Sequence, residues 1–155
     1  MRRILSTAFV VLALNTLAVS GADNSLGTWK LNTERSKYTP EPMPIKGLTT
    51  TREAADDGVK VTTTGEQANG TPINSTSSIK YDGKYYPVMG APWDTIAIKQ
   101  IDANTFTAET KQTNGKYHAM GRTVISKDGK SMTTTSKGTN AEGVAFTAIL
   151  VYDKQ

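Results

Sequence analysis

No cysteine occurs anywhere in the chain. That excludes a disulfide framework, a thiol nucleophile and a thiolate metal site, and it removes the sulfur on which a bacterial lipoprotein anchor is built. A fold made from this sequence has to rest on its apolar core and its hydrogen-bonded backbone. Histidine is nearly absent too. His118 is the only one, and a histidine-based metal site would want a second ligand near it. Beyond residue 22, no window places apolar residues at i, i+3, i+4 and i+7, so helix is not expected. There is no phosphate-binding loop, serine nucleophile elbow or zinc motif. The carboxylates form no pair of catalytic type, and Asp56, Asp57, Asp82 and Asp128 sit in turn sequences where they shape the backbone. Nothing repeats at a solenoid period.

Long apolar runs are also missing, except at the start. Arg2 and Arg3 precede a stretch from Ile4 to Val19 broken only by Ser6, Thr7, Asn15 and Thr16, and the small residues Ser20, Gly21 and Ala22 follow. This order of basic, apolar and small residues is that of a secretion signal, with a cut expected after Ala22 or, alternatively, after Ser20. The competing reading, a membrane anchor, needs ~20 apolar residues, and Asn15 and Thr16 interrupt the run before that length. The expected organisation is therefore a signal peptide over residues 1–22 and one domain over 23–155, exported to the periplasm or the medium, with no membrane span after processing. The segment takes two of the 18 basic residues and none of the 14 acidic ones, so the formal charge falls from +4 to +2. The remaining Lys and Arg are spread evenly, without the block that would track the phosphates of a nucleic acid.

What fills the rest is a recurring unit: a short run rich in Thr, Val, Ile and Tyr, then a turn cluster. The turns read Asp56-Asp57-Gly58, Asn69-Gly70, Asp82-Gly83, Asn114-Gly115, Asp128-Gly129 and Asn140 to Gly143. Asn-Gly and Asp-Gly favour tight hairpin turns, because such turns call for positive φ. The strands expected between them are Gly27–Leu31, Leu48–Ala54, Val59–Glu66, Ile73–Tyr81, Tyr85–Met89, Thr95–Ile101, Phe106–Gln112, Tyr117–Ser126, Ser131–Lys137 and Val144–Tyr152. Such short connections make each strand the partner of the one before. An immunoglobulin-type sandwich would need longer crossovers. The fold class is accordingly all-β, an antiparallel up-and-down meander of about 8–10 strands closing into a barrel, since closure removes the exposed edges. The one long connection, Thr33 to Lys46, carries Pro40, Pro42 and Pro44 and is not expected to be regular sheet. It would be either a strap over one mouth or an extended surface loop. The threonine runs at 49–51, 62–64 and 133–135 follow from β propensity alone.

Strand one reads Gly27-Thr28-Trp29-Lys30-Leu31, and the chain closes on Val151-Tyr152-Asp153-Lys154. These two ends, with the hairpin meander between them, resemble the calycin group, the lipocalins and intracellular fatty-acid-binding proteins. The resemblance implies a barrel with a ligand in its lumen and gives Tyr152 the place of a headgroup tyrosine. Leu150 stands where the fatty-acid-binding branch has its carboxylate-binding arginine. The proline-rich stretch replaces that branch's helical lid.

The candidate ligand-binding residues are Arg122, Tyr152, His118, Met120, Tyr86 and Trp93. Along the expected strand Tyr117–Ser126, His118, Met120, Arg122 and Val124 share one face, while Tyr117, Ala119, Thr123 and Ile125 share the other. Either face can be the inner one, since their apolar content is nearly equal. If the first faces the lumen, Arg122 needs an anionic partner, best a carboxylate met by two hydrogen bonds. His118 could then contact the ligand, although a hydrogen-bonded wall residue explains it as well. Tyr81, Tyr85, Tyr86, Met89 and Trp93 cluster in sequence and would make an amphipathic rim at a barrel mouth. The bland alternative for them is ordinary cross-strand packing.

Together these features imply a non-enzymatic, monomeric binding module for a small, largely apolar ligand, with no cofactor, metal or nucleic acid. A side-chain-filled barrel acting through its surface, as an envelope or inhibitor protein, is the other class. Intact mass of exported protein is expected to show a first residue near Asp23, and retention of Met1 would remove the case for export.

Overall fold

Eleven antiparallel strands in a computed structural model account for most of residues 23–155, which are the residues the structure describes. The expected signal peptide, 1–22, lies outside them. In chain order the strands are β1 (Gly27–Leu31), β2 (Lys37–Thr39), β3 (Ile45–Ala55), β4 (Gly58–Gln67), β5 (Pro72–Ile79), β6 (Asp82–Met89), β7 (Thr95–Asp102), β8 (Thr105–Lys111), β9 (His118–Ile125), β10 (Ser131–Thr139) and β11 (Ala145–Lys154). From β3 to β11 each strand pairs with the next. β1 then lies between β3 and β11 and closes the ring. The expected meander and its closure are both present, with ten strands in the ring.

The eleventh strand was not expected. Lys37, Tyr38 and Thr39 sit in the stretch read as irregular, yet they pair with Ile149, Ala148 and Thr147 of β11. All three precede Pro40, so none of them lacks a backbone donor. β1 occupies the far part of the same edge, pairing Trp29 with Lys154 and Leu31 with Tyr152. β1 and β2 are thus two pieces of one strand position, separated by a looped-out segment, Asn32–Ser36. Side chains repair the ladder across this gap. The Ser36 hydroxyl accepts from the Val151 amide at 2.9 Å and donates to the Asn32 carbonyl at 2.7 Å, while the Asn32 amide donates to the Val151 carbonyl at 2.8 Å. The Asn32 side chain and Arg35 both reach Asp153.

The turns differ in detail from the sequence reading. Gly70 and Gly129 take positive φ, but no non-glycine residue among those described does. Asn69 and Asp128 therefore shape their turns by accepting backbone hydrogen bonds two residues on, from Thr71 and Lys130, rather than by adopting positive φ themselves.

The main core gathers at the end where the chain enters the barrel. Trp29, fully buried, packs there with Leu31, Val59, Ile79, Ile98, Phe106, Ile125, Met132 and Tyr152. The segment before β1 plugs this end: the indole of Trp29 donates to the Ser25 carbonyl at 2.9 Å, and the buried Ser25 hydroxyl lies 2.8 Å from that of Tyr81. A smaller cluster at the opposite end holds Ala119, Phe146 and Ala148. Replacing Trp29 with alanine is expected to cost about 3–5 kcal/mol in denaturant unfolding, the range for removing a buried large aromatic. A loss below about 1 kcal/mol would show that the ring is not what closes this end.

Candidate functional site

Ring closure decides which side of each strand is inside. Trp29 pairs with Thr50, and Thr50 with Thr63. Because side chains alternate, the inner face of β3 is Leu48, Thr50, Arg52. On β9 the inner residues are Ala119, Gly121, Thr123 and Ile125, opposite Gly138, Ser136, Thr134 and Met132 of β10.

This placement corrects the expected anchor. Arg122, His118 and Met120 are on the outer wall and exposed. The reason is packing: at the plugged end Ile125 and Thr123 fill space against Phe106 and Met132, which fixes their face as the inner one. His118 instead meets Glu109 on β8, Nε2 to Oε1, at 2.7 Å. Hydrogen bonds from Tyr85 and then His118 hold the Glu109 carboxyl below its usual range. The sequence cluster of aromatics is likewise split. Tyr81 packs edge-on against Phe106 in the core, Tyr85 faces out under Lys111, and Met89 is exposed. Trp93 belongs to the other end of the barrel.

Tyr152 is inside as expected, buried beside Trp29 and Met132. Its interior cationic neighbour is one that the sequence reading passed over, Arg52. The Nε of Arg52 is buried and has no hydrogen-bond partner among the described residues. Burial pushes the Tyr152 phenol up to about 12, and the Arg52 charge pulls the other way. The neutral phenol therefore stays available as a donor to an anion. A buried, charged donor without an acceptor is the rarest feature of this interior, since such groups are nearly always paired.

Side-chain size varies along the lumen-facing surface between the two ends. The middle belt facing the lumen is small or hydroxylated. It includes Ser75 and Ser77 on β5, Ala108, Gly121, Ser136 and Ala148, with Thr50–Thr63 and Thr123–Thr134 hydroxyl pairs at 3.1 and 2.9 Å. At the far end the rings form a row. Trp93 lies 4.9 Å from Tyr117, Tyr117 6.2 Å from Phe146, and Phe146 stacks on Tyr38 at 5.5 Å. Trp93 thus does sit at a barrel end, in company with the rings of Tyr117, Phe146 and Tyr38.

Tyr86 lies at a break in the wall. β5 and β6 share only the pairs Thr76–Met89 and Ser77–Val88 and then splay apart. A cleft of about 320 Å³ opens there, lined by Val59, Ile79, Tyr86 and Ala55 and edged by the Lys80–Asp57 ion pair. Tyr86 donates to Asp82 at 2.8 Å. On β4, Val61 faces Arg52 on one side and Ser77 on the other, so the cleft lies within one register step of the Arg52 row.

The ten-stranded antiparallel ring, closed by its first and last strands around Trp29, is an up-and-down β-barrel. No family model and no curated protein matches this chain. Among solved structures it is similar to EF1p2_mFAP2b bound to DFHBI, at 11% identity over 86% of this chain and 96% of that one, with a TM-score of 0.48. It is also similar to a zebrafish ileal bile acid-binding protein complexed with cholic acid, at 15% identity over 85% and 99%, with a TM-score of 0.48. The siderocalin Ex-FABP follows at 10% identity over 85% and 71%, with a TM-score of 0.37.

A buried guanidinium Nε without an acceptor has a measurable consequence. Arg52→Met is expected to leave the ligand-free protein as stable as the parent or to stabilise it by up to about 2 kcal/mol, because it removes an unsatisfied buried donor. A destabilisation of more than about 1 kcal/mol in chemical denaturation would show that Arg52 is satisfied in solution.

Proposed function

We propose that this protein is an exported barrel that binds a small amphipathic molecule bearing a negatively charged group. The observation that carries the reading is the buried, partnerless Nε of Arg52 next to the neutral phenol of Tyr152. A buried guanidinium nitrogen left without an acceptor is unfavourable, and a carboxylate or similar oxyanion is the group that matches it. The hydroxyl pairs Thr50–Thr63 and Thr123–Thr134 suit polar substituents on the same molecule. Its apolar body would lie along the belt of small residues between the Trp29 core and the aromatic row. Binding rather than catalysis is the reading supported by what stands beside the anchor: Thr, Ser and aliphatic side chains, with His118 outside on the wall. Export remains part of the proposal on the strength of residues 2–22.

A dansylated fatty acid tests the anchor. The parent is expected to bind it, and Arg52→Met to weaken binding at least about tenfold, or about 1.4 kcal/mol. Arg52→Lys should recover only part of this, because an ammonium lacks the planar fork. Arg122→Met should bind like the parent. Equal affinity of the Arg52→Met protein and the parent would remove the anion site, and a loss confined to Arg122→Met would restore the outer face as the one that matters.

A further inference from the structure

The outer wall is not uniform, and the difference is chemical. Across β7 to β11 and β2, one register row reads Lys99, Thr107, Arg122, Thr135, Ile149, Lys37. The row beside it reads Ala97, Glu109, Met120, Lys137, Thr147, Thr39. Lys111 and His118 head a third, and Val124 lies in a fourth between Thr105 and Thr133. Five permanent cations thus face two carboxylates within the wall: Glu109, already engaged by Tyr85 and His118, and Asp153 near the end of β11, paired with Arg35. Other acids stand at the margins: Asp102 at the end of β7, near Arg122, with Asp128 and Glu142 in the turns beyond.

Exposed aliphatic side chains occupy the same wall. Met120 is 56% exposed, Val124 42% and Ile149 41%. The wall made by β3, β4 and β5 has neither feature. Its outer residues are mainly Thr, Ser and Asn, Lys46 pairs with Glu66 at 2.7 Å, Glu53 faces Lys60, and no large hydrophobic residue among those described is exposed there. Met89 on β6, beside Thr76 of β5, is exposed as well, and so are Ile101 and Val144 at strand ends, but only on the β8–β11 side do exposed aliphatic residues alternate with cations along the strands.

We propose that the β8–β11 side of the barrel docks on an anionic lipid surface. Lys and Arg near such a surface are drawn to its negative potential, and apolar side chains between them gain by entering the headgroup boundary. Met120, Val124 and Ile149 are aliphatic and flanked by Lys137, Arg122 and Lys37. The wall lacks the aromatic platform on which nucleic-acid bases stack. It is convex, so it offers no groove for a peptide, and its charge repels a second copy of the same face. The interior anchor plays no part in this reading, so the two stand or fall separately.

Sedimentation with vesicles, using protein as recovered from expressing cells, tests the surface. Phosphatidylcholine vesicles with about one-third phosphatidylglycerol should bind the parent at low salt, and phosphatidylcholine alone should not. Raising salt from about 0.05 to 0.5 M should weaken binding at least tenfold. The double replacement Arg122→Glu with Lys137→Glu should do the same at low salt, whereas Lys60→Glu on the opposite wall should change nothing. Met120→Ser with Ile149→Ser should weaken binding to anionic vesicles while the circular dichroism of the fold is unchanged. Binding that survives the charge reversals would overturn the proposal. So would heparin binding as tight as that to vesicles and indifferent to Met120 and Ile149, which would point to a soluble polyanion instead.

Discussion

Everything in this molecule depends on the pairing of its first strand with its last. β1 has five residues and β11 ten, so β1 alone cannot cover the edge it has to close. The remainder is covered by β2, and the ladder across Asn32–Ser36 is completed by a serine hydroxyl and an asparagine amide. Without these contacts β11 would present unpaired backbone donors and acceptors to solvent, an invitation to pair with another chain. A protein with no disulfide has few other ways to hold such a seam. Trp29 sits inside it, fully buried, with its indole tied to the plug residue Ser25. Seam and plug are therefore one structural unit.

Closure also turns alternation into an inside and an outside. Once Trp29 points inward, register carries that choice through Thr50, Thr63 and Ser75 around the ring. Large side chains then collect at the two ends and small ones in the middle. The plugged end is a conventional core, and the far end is stacked aromatic rings. Arg52 breaks the pattern, because it places a charge where the same strand could have put an aliphatic residue at lower cost. Departures of this kind, where a charged side chain turns inward and leaves a buried Nε without an acceptor among the described residues, are expected at functional positions.

Because inner and outer residues alternate on the same strands, the two faces can be specified almost independently. β9 illustrates this: Ala119, Gly121 and Thr123 keep the lumen narrow-walled, while Met120 and Arg122 between them define the exterior. The neutral, threonine-rich wall of β3 to β5 and the basic wall of β7 to β11 differ although they enclose the same interior. An outer substitution need not disturb the lumen, and the reverse also holds.

The local chemistry of the chain determined much of this. Short β-branched runs between Asn-Gly and Asp-Gly turns made the meander legible strand by strand, and Gly27-Thr28-Trp29 with Val151-Tyr152 marked the two strands that meet. Tyr152 was legible as an inner residue for the same reason. Arg52 could have been found, since Leu48 is the large apolar residue of its strand and alternation from Leu48 leads through Thr50 to Arg52. β2 was hidden because three residues before a proline cluster carry no pattern of their own; they form a strand only because β11 has an edge to cover. The sidedness of β9 could not be read at all. Its two faces are alike in apolar content, and alternation specifies only that they are opposite. Which one is buried was decided by closure, when Ile125 and Thr123 met Phe106 and Met132 and left Arg122 in water.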